Sequence, residues 1–597
     1  MQLERKGKKN DLISVIITMR LPPMRITMEQ MVQHQSKNKL TSLYKQPLRC
    51  MKQANNDVQQ LFLLRRVFGK KETAKKIQLL RSIQPKAFNS KTSFQLYYDT
   101  LLFLTAYADN KTVYTLAQQQ LQQLQTLIEK SDAIQYRLYN TGITGTSLCA
   151  AFGFEITRWL RKRYTNKIRI ASFEAQEGQL QSIVCAMMTK LESEILQDSY
   201  FTWQEWIERT LAPHQDLLDG LLSVFEANDT RPEVKDELWS ALGVNTEIQL
   251  TDHTALPASF VQPYYHKELL RKQSPSTSIT KPVQVKLNEE EAAAIVDCSR
   301  MVLVRHLREI DPISFTDAKL VSYYQLPRGL SIALMEMIPE RRHPIDSYMG
   351  YTVFKNSLPV AYAGSWLLFD SGRIGLNIFP AYRGGESQYI FQQILNVHAQ
   401  VYKLRRFTVD PYQIGGKNSD GIKSGAFWVY YHAGFRPMLQ EQLQLANNEA
   451  EKIKTIKGYR SPASVLKQLA KTKMELLLQK KSVRFDANDL SLAYAALLKK
   501  KYKNNRNRFE KDKAQELAHV LQLTIHKDPM LQFTVQNWAL LLLQHQAALK
   551  KNPTLKKAVK ELFLLKAKGS ETAYHFLLQK NKMIREWMEE LVNGIVL

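Results

Sequence analysis

Residues 381–395 read AYRGGESQYIFQQIL: two adjacent glycines, Gly384 and Gly385, at the head of a segment that reads as helix to about Tyr402. A strand that ends in such a turn and enters a helix leaves the first backbone N–H groups unpaired, and the helix N-terminus carries a partial positive charge. Together they suit a diphosphate. Gly384 and Gly385 permit close backbone approach, and Arg383 adds a fixed positive charge. Glu386 runs against this, because a carboxylate beside a polyanion is unfavourable unless it points away. The turn alone would equally serve as an empty strand-to-helix connection; the elements around it decide.

Working outward, strand signals precede the turn. Tyr348–Lys355, Val360–Phe369 and Arg373–Phe379 read as three strands, parted by turns at Asn356–Pro359 and Asp370–Gly372. SIALMEM (331–337) is an earlier strand. After the helix come a strand at Arg406–Asp410, a polar loop with Gly415, Gly416 and Gly421, and a last helix from about Ser424 to His432. Gly434 suits the position after a helix end, and Pro437 prevents continuation.

This order, with AYRGGESQYIFQQIL and a second motif, AFWVYYHAGFRP (426–437), resembles the GCN5-related N-acetyltransferase (GNAT) superfamily over roughly 287–440. The second motif is similar to the family's Ala-x-x-x-Tyr-x-x-x-Gly-Phe ending through Ala426, Tyr430, Gly434 and Phe435. The block looks more like an uncharacterised bacterial branch of that superfamily than like a defined enzyme. The family's glycine positions, counted from Arg383, fall on Glu386 and Gln388; a one-residue shortening would place Gly385 and Ser387 there instead. The resemblance implies acyl transfer from acyl-CoA (acetyl-CoA or longer) to an amine, on a small molecule or a protein. It implies cofactor contacts from Ile378, Phe379, Arg383, Gly384, Gly385 and Ser387, and a proton from Tyr430 to the departing thiolate. An amine acceptor must also lose a proton; Glu336, Asp410 and His343 are the candidate bases. The alternative for Tyr430 is a plain core role, since FWVYY is five large residues.

The 597 residues predict about four structural units. The expected fold is α+β: a central GNAT-like mixed sheet with flanking helices (287–440), between an N-terminal (40–272) and a C-terminal (441–597) all-helical domain. A linker is expected at 273–286, where Ser, Thr and Pro cluster, and residues 1–39 form an extension. Within the N-terminal part, the loop Gly142–Gly145 reads as a connecting turn before a helix that starts near Thr146 or Ser147 and runs to Arg163, and Trp203 and Trp206 read as core aromatics.

Lys and Arg number 83 against 56 Asp and Glu, a formal charge of +27. Such a surplus attracts polyanions without naming one. Residues 451–597 carry 29 Lys and Arg against 13 Asp and Glu, more than half of the surplus. Lys499, Lys500, Lys501, Lys503, Arg506 and Arg508, interleaved with Tyr502, suggest an RNA contact, and hence a tRNA-linked transferase or a nucleic-acid-binding protein as the alternative. Ordinary solvated helix faces are the plainer reading. A catalytically inactive interaction platform is a third.

Cys50, Cys149, Cys185 and Cys298 stand far apart without a CxxC pair, which excludes a disulfide scaffold and points to a reducing compartment. His306 and Asp311 share the spacing of a lipid acyltransferase motif, but five residues on a helix place them on different faces. His398 and His432 have no partner at metal spacing, so no metal is expected. No stretch of about 18 apolar residues predicts a membrane span. The bases Arg5, Lys6, Lys8 and Lys9 before Leu12–Met19 imitate a signal peptide, but no small-residue cleavage site follows; a cytoplasmic location is expected.

Overall fold

The computed structural model describes residues 54–594, apart from 166, 199–200, 252–253, 261, 271–280 and 480–481. The expected extension 1–39 and most of the expected linker lie outside the described residues. The described residues form a mixed α+β molecule with two sheets.

The smaller sheet is built from β1 (Ser147–Ala151), β2 (Ile168–Phe173) and β3 (Val244–Gln249), with β3 in the middle and both pairings antiparallel. It overturns the expectation of an all-helical segment at 40–272. The signal is short but present: along β3, Val244, Thr246 and Ile248 are buried while Asn245, Glu247 and Gln249 are half-exposed, an alternation of period two. The helix expected from Ser147 to Arg163 is likewise divided, with strand over β1 and helix only over Phe154–Tyr164. Trp203 and Trp206 pack in the core of this unit, as expected.

Ten strands form the large sheet. They are β4 (Val283–Val285), β5 (Val321–Leu326), β6 (Leu330–Met335), β7 (Ser347–Lys355), β8 (Leu358–Leu368), β9 (Ser371–Ile374), β10 (Asn377–Ile378), β11 (Arg406–Val409), β12 (Arg436–Pro437) and β13 (Met474–Leu477). Their order is β12-β13-β11-β9-β8-β7-β6-β5-β4, with β10 on β8. Neighbours are antiparallel except β9 and β11, which are parallel. A parallel pair needs a crossover, here the helix Ser387–Val401. Residues of β6, β7 and almost all of β8 are buried on both faces, the burial of a sheet covered by helices on both sides.

Two boundaries move. β4 lies inside the expected linker yet pairs with β5. β13 lies inside the expected C-terminal helical domain yet pairs with β11 and β12, so the sheet unit continues past 440. The strand expected at Arg373–Phe379 is interrupted between β9 and β10. At this break the Tyr351 hydroxyl donates to the Gly375 carbonyl.

Six helices matter below: α1 (Lys91–Ala106), α2 (Lys111–Glu129), α3 (Glu289–Arg305), α4 (Ser387–Val401), α5 (Ala426–His432) and α6 (Glu571–Lys580). Helix α1 starts at the cap Ser90, whose side chain accepts from Ser93 N–H, and α3 at a reciprocal pair between Asn288 and Glu291. The helix expected from about Ser424 to His432 is present as α5, and a separate short helix, Ser419–Ser424, precedes it across Gly425 where a loop was expected. The main core lies under the large sheet and takes in Phe103, Ala106 and Tyr107 of the N-terminal helices. The C-terminal helices form a separate core that meets the sheet at Leu368 and Phe369.

Candidate functional site

The turn between β10 and α4 is shaped by contacts that sequence neighbours do not make. Gly384 has a φ of +81°, and a Cβ there would stand 2.3 Å from the Arg66 guanidinium carbon. Arg66 donates from Nη2 to the Arg383 carbonyl at 2.9 Å. A Cβ on Gly385 would stand 2.8 Å from the Tyr107 ring. Gly384 is favoured by its left-handed backbone, since the Arg66 side chain could move aside, and Gly385 by the close approach of the Tyr107 ring.

Glu386 points away from the turn's outer face. Its side chain is fully buried against Lys355 Nζ, 2.7 Å from Oε2, and against the Arg328 guanidinium. The Leu270 amide also donates to it, at 3.1 Å. His266, buried as well, lies 3.9 Å from Oε1. Burial would raise the Glu386 carboxyl, but the Lys355 ammonium and these donors hold it below the usual carboxylate range. Glu386 is the N-cap of α4 but gives no side-chain hydrogen bond back to the helix, so the first amides of α4 are not capped from within the turn.

A cleft of about 470 Å³ opens outside this turn. Ile378, Phe379, Arg383, Gly384 and Ser387 line it, together with Tyr430 of α5. Gly385 is buried behind them against Tyr107. The Tyr430 ring also packs edge-on to Phe391 and Phe435, with centroids at 5.1 and 5.7 Å, so it belongs to the core and to the cleft at once. Burial pushes its phenol up from the ordinary value, opposed by the Leu376 backbone; the group is a protonated donor at neutral pH.

Two of the candidate bases lie elsewhere. Glu336 accepts from the backbone N–H groups of Glu571 and Thr572 at 2.8 and 3.1 Å, and from the Ser570 hydroxyl at 3.1 Å. It closes the N-terminus of α6 rather than facing the cleft. Asp410 pairs with Arg373 at 3.1 Å and stands at the head of the short turn Pro411–Ile414, whose Tyr412 and Gln413 reach the cleft. His343 is bonded to Asp346 at 3.0 Å, also away from the cleft.

His306, set aside in sequence because Asp311 could not face it, does line the cleft. Its ring stacks on Phe379 at 4.6 Å, and Phe379 stacks on Tyr362 at 5.1 Å. The residue is exposed toward the cleft; desolvation against the stack, then the charges of Arg305, Arg308 and Arg383, push the imidazole below its ordinary value. It is neutral at physiological pH, and an imidazole held that low is a weak proton acceptor. No local pattern marks His306, because its neighbour Phe379 is brought to it by the sheet.

The basic run near residue 500 is ordinary in its contacts. Lys499, Lys500 and Lys501 end the helix Ala487–Tyr502, where positive charge is favoured by the helix dipole. They and Lys503 and Arg506 are exposed, while the Tyr502 ring packs edge-on to Phe509 at 5.2 Å. The Arg508 side chain lies outside the described residues. Among the described residues, no group of three or more His, Cys, Asp or Glu is placed to hold a metal ion, and no helix is long and apolar enough to cross a membrane. The chain matches no family model, no curated protein and no solved structure.

Proposed function

We propose that the protein is an acyltransferase of the GNAT type, moving an acyl group from acyl-CoA to an amine. One observation carries the reading: the residues expected from two separate motifs, Ile378, Phe379, Arg383, Gly384 and Ser387 on one hand and Tyr430 on the other, line the same open cleft. The inward turn of Glu386 adds support, since it takes that carboxylate away from an anion at the turn and leaves Asp420 as the carboxylate on the cleft lining. Bound there, the thioester would supply an activated acyl carbon. The uncapped start of α4 and the guanidinium of Arg383 hold a diphosphate. Arg66, joined to the same turn, adds positive charge. As the C–N bond forms the acceptor nitrogen gives up its proton to solvent in the open cleft, and Tyr430 protonates the sulfur as the C–S bond breaks.

Titration calorimetry with acetyl-CoA and longer acyl-CoAs tests this. Micromolar binding that is lost in Arg383→Ala supports it, and absence of binding at millimolar ligand ends it. RNA binding that weakens steeply with salt, with no acyl-CoA binding, would move the assignment to the nucleic-acid alternative.

A further inference from the structure

A second cavity, of about 230 Å³, lies between α1, α2 and α3 and the start of β8. At ~30 Å³ per water this is roughly eight water volumes, the size of a small organic molecule. Its wall is mostly apolar, with Leu102, Leu121, Val302 and Leu358 among the lining side chains. One carboxylate, Asp99 of α1, stands in that wall. Its Oδ1 accepts from Gln95 Nε2 at 2.9 Å, and among the described residues no donor is bonded to Oδ2. The Thr254 hydroxyl, also lining the cavity, is buried without a hydrogen-bond partner among the described residues. The guanidinium on this wall, Arg305, is turned into the 142–144 loop, where Nη1 donates to the Gly142 carbonyl at 2.9 Å and the Thr144 hydroxyl at 3.0 Å.

We propose that this cavity is a binding site for a small aliphatic primary amine, its ammonium on Asp99 and its hydrocarbon body against Leu102, Leu121, Val302 and Leu358. Asp99 is half-buried, and its Oδ2 is left open to the cavity with only the charge of Arg65 acting on the carboxylate; a primary ammonium there adds an ion pair and hydrogen bonds. A second ammonium hydrogen can be accepted by Thr254. A carboxylate or phosphate ligand would meet Asp99 with like charge, and an uncharged alcohol would leave its charge uncompensated. Burial already pushes the Asp99 carboxyl up to about 6, opposed by Gln95 and by the charge of Arg65, consistent with a site that gains by taking up a cation. The site is distinct from the cleft at Gly384; His306 contributes to both, and the proposal does not depend on acyl transfer.

Titration calorimetry of the full chain with hexylamine, hexanol and hexanoate, in the absence of any thioester, tests it. The expected result is hexylamine bound at least tenfold more tightly than hexanol, and hexanoate weakest. Asp99→Asn should bring the amine down to the alcohol. Leu121→Trp, which fills the cavity, should weaken both. Equal affinity of amine and alcohol for the unmodified chain, no binding of any of the three, or undiminished amine binding in a folded Asp99→Asn would overturn the proposal. The ligand comparison on the unmodified chain decides even if the variants fail to fold.

Discussion

Two helices enter against the large sheet through buried ionic clusters, and they end differently. At α6, Lys566 and Arg342 surround Glu571, and Glu336 from the sheet side occupies the helix's first amides. At α4, Lys355 and Arg328 surround Glu386, but no carboxylate occupies the amides, because Glu386 turns inward. The ingredients are nearly the same. One helix N-terminus is closed by the protein itself, and the other faces a cleft. The contrast separates a joint between structural units from a helix start that is open to a cleft, and it explains why Glu336, a candidate base by sequence, belongs to the joint.

The largest effect expected is on the clusters themselves. Removing one partner of a buried ion pair leaves an uncompensated charge and costs about 3–5 kcal/mol. Lys355→Met and Lys566→Met should each lower the stability in urea by that order. Only Lys355→Met should also weaken acyl-CoA binding, because Glu386 is then released from its inward position. Equal weakening by Lys566→Met would break the contrast.

Tyr430→Phe should slow acyl transfer by about 100-fold, the low end for loss of a general acid, with an unfolding midpoint close to that of the unmodified protein. A variant of unchanged rate would return Tyr430 to the core alone. Glu336→Ala should cost about 1–2 kcal/mol in thermal unfolding, as loss of a helix cap does, and leave acyl-CoA affinity unchanged. A rate loss without a stability loss would restore Glu336 as a base.

A separate effect concerns pH and is read as a slope. Each cluster has a buried histidine nearby: burial, then the charge of Lys355, pushes His266 down to about 3, and burial pushes His575 down to about 4. Below the ordinary value of 6.5 the unfolded chain takes up protons that the folded chain refuses, so stability falls as pH drops from 6.5 toward 4. His266→Gln and His575→Gln should each flatten this fall by up to about 1.4 kcal/mol per pH unit. Denaturant unfolding at pH 4.5, 5.5 and 6.5 measures it. An unchanged slope in either variant would show that the histidine is not excluded from protonation.

Much of the central region was legible. β7 and β8 lie within a few residues of the expected strands, because alternation and turn chemistry are local. The break between β9 and β10 was not legible, and the Tyr351 hydroxyl that bonds the Gly375 carbonyl there comes from another strand. The small N-terminal sheet was missed because its strands are five or six residues long and are set among longer helical runs. Of the candidate site, the turn and Tyr430 could be read from motifs, whereas His306 and Arg66 could not. Both reach the cleft or its turn through contacts between residues far apart in the chain.

The amino-acid order by itself determined the element types of the central region, the helix-opening glycine turn and the basic surplus, because each depends on short-range spacing and composition. Only the tertiary structure decided which way Glu386 points, which helix start is left open, that Asp99 stands in an apolar cavity, and that β4 and β13 join the sheet. The physical reason is desolvation. A buried charge must find its partner wherever the chain brings one, and neither Lys355 nor Arg328 is near Glu386 until the sheet and the helices have packed.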